Sequence, residues 1–416
     1  MSDARESTEV RLLPGARRVL RAERKGAELA SLQIWIDAGS RAETFRPGSG
    51  IAHFLEHMVF KGTGRRDADA INREAECLGG QLNAYTSYDR TVYHLDLPAE
   101  NAVAGLDLLS DFVWHPLLGG DGFAPEREVI LRELAMVRDD PESHLFDSIL
   151  AAAFGEDPIR FPVIGLEDRF REINPGDLVR FHRRHYRSGN AFLLLAGPAD
   201  ARLDARAETV FPTPDDGERP PPPVPFERPR PVRLRLTGDW EGGRGLALFL
   251  VPGGTPREAL SADWVMETLA GGESGRLNRL LRIERRLVHF CEGFVFPVGP
   301  VSLFGFGWLA EPGKLEETER TVLGALEEWS EKGLPGEALG RAKDRCRFER
   351  SLRNQTVEGW GSREAEDYFR FGAPGDRSAE DEWLAGFDAG DWTEFVGGCL
   401  RPDRAMTGWL APKEER

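Results

Sequence analysis

Histidines and carboxylates at metal-ligand spacing are the residues here best suited to chemistry, and they concentrate in Ile51-Ala52-His53-Phe54-Leu55-Glu56-His57-Met58. On a helix, His53 and His57 stand one turn apart. Both imidazoles then leave the same face and can take two corners of a zinc tetrahedron. Glu56 lies beside that face, from where it can reach a water on the metal and accept its proton without ligating the metal. The order H-x-x-E-H reverses H-E-x-x-H, and both occur among zinc-protease signatures.

Such a centre is short of one ligand, and a carboxylate is the expected third. The stretch from Phe123 to Val137 offers two. Pro125 suits a first helical turn, and Val129, Ile130, Leu134 and Val137 recur at helical spacing. Glu126 and Glu133, seven apart, fall on one stripe of that helix, and Glu133 follows His57 by 76 residues.

H-x-x-E-H followed at this distance by E-x6-E resembles the M16 metallopeptidases, which include pitrilysin, insulysin and the mitochondrial processing peptidase. The resemblance covers nearly the whole chain. It implies one zinc ion per chain, held by His53, His57 and Glu133, with Glu126 supporting from behind and Glu56 as the catalytic base. Gly79 to Ser87 is similar to the family's strand beside the zinc, which implies that Asn83, Ala84, Tyr85 and Thr86 receive an extended peptide. Leu269 to His289 is similar to a family segment carrying an Arg and, seven residues later, a Tyr that bind the substrate carbonyl. Arg282 is present, but His289 stands at the Tyr position and Arg286 where the family usually has Gly.

The resemblance further implies an α+β fold of two homologous domains, each a mostly antiparallel sheet backed by helices. In two-domain members it implies two chains closing into a chamber. A complete zinc site with an altered Tyr position fits the zinc-bearing subunit, partnered by a homologue with an intact Arg/Tyr pair or by a second copy. The expected activity is that of a zinc endopeptidase acting on peptides or unfolded segments. The rival is a non-catalytic structural or assembly subunit of the same fold, against which the intact motif counts.

Composition sets the bounds. The 416 residues exceed one compact domain, and 40% hydrophobic with 30% charged residues is ordinary for a soluble protein. A net charge of −16 argues against a nucleic-acid partner, which would need a basic face. Met1 to Val10 lacks the apolar core of a secretory signal and contains acids, unlike a transit peptide. No apolar run reaches the length of a membrane span. Cys77, Cys291, Cys346 and Cys399 form no C-x-x-C and read as free thiols, buried as small hydrophobes, in a reducing cytoplasm.

The elements that must position the site follow from periodicity and punctuation. Val10–Leu13 and Arg17–Arg21 read as a hairpin around Pro14-Gly15, Leu29–Ile36 as a strand of the main sheet, and Ser49 as N-cap of the histidine helix. Asp69–Leu78 reads as a helix, Gln81–Tyr85 and Thr91–Leu97 as strands, Glu100–Val113 and Pro175–Tyr186 as helices, and Ala191–Ala196 as a strand. Nine prolines fall between Pro212 and Pro231, which suits an extended linker. The expected domains are therefore 1–211 with the zinc, a linker at 212–231, and 232–416 without metal.

The halves repeat at an offset of 214. Gly176, Asp177, Phe181, Arg187, Ala191 and Pro198 recur as Gly390, Asp391, Phe395, Arg401, Ala405 and Pro412. The zinc residues do not recur: His53 falls on Glu267 and His57 on Gly271. His182 and His185 read as surface residues among Arg183 and Arg184, and His94, His115 and His144 have no metal-type neighbours in sequence.

Overall fold

The computed structural model describes residues 6–15, 17–212, 220–334 and 336–413. Two sheets are built. The first contains β1 (Glu6–Leu13), β2 (Arg17–Arg24), β3 (Leu29–Ile36), β4 (Gln81–Thr86), β5 (Thr91–Pro98) and β6 (Ala191–Gly197). The second contains β7 (Val232–Gly238), β8 (Gly243–Pro252), β9 (Val288–Val298), β10 (Val301–Ala310) and β11 (Met406–Pro412). Their orders are β1-β2-β6-β3-β5-β4 and β7-β11-β8-β10-β9. Leaving out β1, the orders correspond strand for strand at the offset of 214. Each sheet has a single parallel pair, β2–β6 and β7–β11. This is the mixed, mostly antiparallel α+β architecture expected. The repeat extends to the caps: Asn174 with Asp177, and Asp388 with Asp391, close capping boxes on helices Pro175–His185 and Ala389–Cys399.

The first five α-helices in chain order are α1 (Ile51–Val59), α2 (Ala68–Cys77), α3 (Ala102–Trp114), α4 (Phe123–Asp139) and α5 (Pro141–Ala153). The alternation in β3 predicts one buried face, yet seven of its eight residues are buried. Leu32, Ile34 and Ile36 are fully covered on one side. On the other, Ser31, Gln33 and Trp35 are covered by helix Val357–Phe371, which comes from the far half of the chain. The polar atoms are satisfied there: Gln33 Nε2 donates to Ser31 Oγ at 3.0 Å and to Ser362 Oγ at 2.8 Å, and Trp35 Nε1 donates to Gln33 Oε1 at 2.9 Å. Close approach needs Gly361, where a Cβ would come 2.7 Å from that of Ala196.

The second sheet receives a helix in return. α5, which follows Asp140 as N-cap and starts at Pro141, packs on β7, β8 and β11. Gly408 lets it close in, since a Cβ there would lie 3.1 Å from Leu145 and 3.2 Å from Ile149. Helices α5 and Val357–Phe371 are counterparts at the repeat offset, so equivalent helices have been traded. The compact units are therefore interleaved: one is Met1–Met136, Phe161–Pro225 and Arg353–Gly375, the other Val137–Arg160, Phe226–Leu352 and Asp376–Arg416. The proline-rich stretch separates the strands of the two sheets but not these units. No helix among the described residues is long and apolar enough to cross a membrane.

Candidate metal centre

α1 is short, and its placement comes from burial. Ile51, Ala52, Phe54, Leu55, Met58 and Val59 are fully buried, which leaves His53, Glu56 and His57 on the remaining face. Its start differs from expectation. Ser49 is not the N-cap: Gly50 holds that position at φ +73° with no side-chain cap. A Cβ at Gly50 would come 2.0 Å from Ile164 O, so only glycine fits. The free N–H groups go to Glu43 instead. Its Oε2 accepts from Ser49 N at 3.0 Å and Gly50 N at 3.1 Å, and its Oε1 from Ala52 N at 3.1 Å. Glu43 is 2% exposed. Burial pushes its carboxyl up to about 8, against the downward pull of those donors.

α4 brings the two glutamates across. Glu133 Oε1 lies 3.8 Å from His53 Nε2, and Oε2 lies 3.8 Å from His57 Nε2. One donor atom from each of the three residues lies within 4.8 Å of the others, the single such cluster among the described residues. Two imidazole nitrogens and one carboxylate oxygen suit zinc, and the separations are close to the edge of about 3.4 Å that a tetrahedral zinc site requires. Behind them, Glu126 Oε1 sits 2.8 Å from His57 Nδ1 and Oε2 sits 2.6 Å from Lys61 Nζ. Glu56 faces β4, where Thr86 Oγ1 donates to its Oε2 at 2.5 Å.

The electrostatics separate the groups. Burial, with the neighbouring His57, pushes His53 down to about 3, so its ring is neutral and able to ligate. Burial also opposes charge on His57, but the hydrogen bond to Glu126 and the charges of Glu56, Glu126 and Glu133 outweigh it and raise it. Burial lifts Glu56 above the usual carboxylate range, opposed by the Thr86 hydroxyl. Burial lifts Glu126 too, but its bonds to His57 and Lys61 carry it below that range.

β4 is the edge of the first sheet and pairs only with β5 among the described strands. Asn83 and Tyr85 are exposed, while Ala84 and Thr86 are partly covered. Its outer backbone edge is thus available to an added strand, and Thr86 ties that edge to Glu56.

The structure gathers His53, Glu56, His57, Asn83, Ala84, Tyr85, Thr86, Glu126 and Glu133 in one unit. Arg282 and His289 belong to the other. Arg282 lies on a π-turn, Arg279–Glu284, and pairs with exposed Glu273 at 3.1 Å. His289 is exposed on β9. Arg286 is the sole non-glycine with positive φ among the described residues, at +55°. Arg286→Gly is therefore expected to leave stability unchanged or raise it by up to about 1 kcal/mol, relieved strain offsetting added chain entropy. Urea unfolding checks this, and a clear loss of stability would show that the side chain earns its place by contacts.

Two further expectations need correction. His185 is not a surface residue: it is 2% exposed and packs on Phe181 with ring centroids 4.4 Å apart. His182 is partly covered, its Nε2 3.0 Å from Val113 O. The reason was in the sequence, since Leu178, Phe181 and His185 form one helical stripe that faces the core. Cys77 is exposed rather than buried; Cys291 is buried, and Cys346 and Cys399 are intermediate. Sequence reasoning also missed Glu43 and Lys61. Lys61 had a local signal, four residues after His57, whereas Glu43 sits in a loop with none.

Two family models match the chain one after the other. Residues 18–166 match the family described as insulinase (peptidase family M16), and residues 172–346 match the peptidase M16 inactive domain. A mitochondrial-processing peptidase subunit beta of Blastocladiella emersonii is 36% identical over 205 residues, covering 49% of this chain and 44% of that one. An uncharacterized zinc protease of Mycobacterium bovis is 37% identical over 188 residues, covering 45% and 43%. The matches span less than half the length of these relatives. Among solved structures, a protease from Helicobacter pylori superimposes with a TM-score of 0.89 at 20% identity, over 98% of this chain and 100% of that one. A peptidase M16 inactive domain from Pseudomonas fluorescens gives 0.87 at 17% identity, over 99% of each. At those identities the likeness concerns the fold.

Proposed function

Since the chain belongs to the M16 peptidase family, we propose that it is a zinc-dependent endopeptidase for peptides or unfolded segments. The observation that carries this is the convergence of His53, His57 and Glu133 beside Glu56 and an open sheet edge. His53, His57 and Glu133 hold the ion. Bound zinc supplies a Lewis acid for the scissile carbonyl and makes a water acidic near neutral pH. Glu56 takes the proton from the attacking water and returns it to the leaving amine. The Thr86 hydroxyl keeps Glu56 turned toward β4. The peptide adds to that edge along Asn83, Ala84, Tyr85 and Thr86, where backbone pairing tolerates many sequences. The four free thiols agree with the cytoplasmic location that belongs to this reading.

The test is metal analysis after purification without chelators, together with cleavage of an unstructured peptide. The proposal expects about one zinc per chain, and cleavage abolished by a chelator and restored by zinc. Less than about a tenth of an equivalent would favour a scaffold subunit instead.

The proposal extends to assembly: the zinc-bearing subunit of a dimeric chamber, paired with a homologue that carries an Arg/Tyr pair or with a second copy. Its motive is His289, exposed where a fixed donor is expected. Loss of one donor to the carbonyl oxygen costs about a hundred- to a thousandfold in rate. The isolated chain is expected to be weakly active, and His289→Tyr to raise its rate if it self-associates. Solution mass and peptide turnover check this. A monomer turning over many peptides per second, indifferent to the substitution, would remove the partner from the scheme.

A further inference from the structure

The two histidines of the centre are not held alike. His53 Nδ1 is buried with no hydrogen-bond partner among the described residues, so nothing there selects its tautomer. His57 Nδ1 is 2.8 Å from a carboxylate oxygen of Glu126. Beside an acceptor, Nδ1 carries the proton, and Nε2 keeps its lone pair on the side of Glu133, 3.8 Å away. The centre therefore depends on the orientation of one carboxylate.

That carboxylate is gripped at both oxygens. The Glu126 side chain is 8% exposed, and its second oxygen is 2.6 Å from Lys61 Nζ. Lys61 lies four residues after His57, just past the end of α1, with its N–H on Met58 O at 3.1 Å. Gly122 packs against the base of the lysine side chain, where an added Cβ would lie 3.3 Å from Lys61 Cβ. The ring and the ammonium thus come from one short piece of backbone and hold the two ends of one planar group. Turning the Glu126 carboxylate would break one bond or the other.

We infer that Lys61 is a positioning residue of the metal centre, acting through Glu126 to orient the His57 ring. This rests on the reading of His53, His57 and Glu133 as the zinc ligands. A plain surface ion pair would contribute little, because Lys61 is 31% exposed. Coulomb's law alone even gives the opposite sign: removing a cation from beside the site should tighten zinc. Orientation predicts that zinc weakens, so the direction of the effect decides between them.

The experiment measures the zinc dissociation constant of the full chain by competition with a chromophoric chelator. Lys61→Met is expected to weaken zinc about tenfold, as loss of a group behind a ligand does. Lys61→Arg, which keeps charge and donors, should stay within about twofold of the parent. Glu126→Gln should weaken zinc as well, and Lys61→Met added to it should change nothing further, because the lysine acts only through that carboxylate. If Lys61→Met does not fold, Lys61→Gln serves in the same cycle. Unchanged or tighter zinc in Lys61→Met (or in Lys61→Gln where it stands in), or losses that multiply in the double variant, would overturn the inference and leave the zinc reading standing. A parent chain that binds no zinc would overturn both.

Discussion

Glu56→Gln is expected to keep zinc and to lower peptide cleavage by about a hundred- to ten-thousandfold, the range associated with a positioned acid–base group. The substitution preserves shape. The Thr86 hydroxyl that now donates to Glu56 Oε2 can donate equally to an amide oxygen, so the strand edge and α1 stay in place. What disappears is the capacity to accept a proton. Glu56 is suited to that task because burial, held in check by Thr86, keeps its carboxyl above the ordinary range, nearer to working pH. The measurement is kcat/KM on an unstructured peptide alongside zinc content. Undiminished cleavage would take Glu56 out of the mechanism, and loss of zinc would make it part of the ligand set.

Glu43→Ala is expected to cost about 2–4 kcal/mol of stability. Three buried backbone N–H groups at the start of α1 would lose their acceptor. Each orphaned donor costs about 1–3 kcal/mol, and removing a buried carboxyl returns part of that through its own relieved desolvation. Zinc affinity should fall too, because Ala52 precedes His53 and the first turn carries the ring. The pH dependence has a definite sign. Burial raises Glu43 from 4.5 to about 8, so between those values the folded chain holds a proton that the unfolded chain releases. Its contribution is full below the lower value and fades as pH rises through the upper one. Urea midpoints should therefore fall more between pH 5 and pH 9 in the parent than in Glu43→Gln. Equal slopes, or an alanine variant as stable as the parent, would deny Glu43 this role.

What sequence made legible was local. His53 and His57 at one helical turn, and Glu126 and Glu133 at two, name their own geometry, and β3 was bounded to the residue. What stayed hidden depended on distant chain. The alternation in β3 could not reveal that a helix from residues 357–371 covers its polar face, because Gln33 and Ser31 look solvent-facing until Ser362 arrives to satisfy them. Ser49 was a sound N-cap by propensity, yet a buried glutamate six residues upstream outcompetes it with two oxygens for three donors. His185 is buried because it continues the Leu178–Phe181 stripe, a periodicity that the neighbouring arginines mask.

The traded helices bear on how such a chain is made. Synthesis delivers the last strand of the first sheet at Gly197, but the helix that covers Trp35 and Phe192 arrives only from Val357 onward. The second sheet is in the opposite position, for its borrowed helix is complete at Ala153, before its first strand exists. One face of the sheet that bears the metal residues must therefore wait for nearly all of these residues to be made before it is covered. Cutting or transplanting the gene at the proline-rich stretch would give two pieces, each holding the other's missing part. Two halves that match strand for strand are in this way inseparable as folding units.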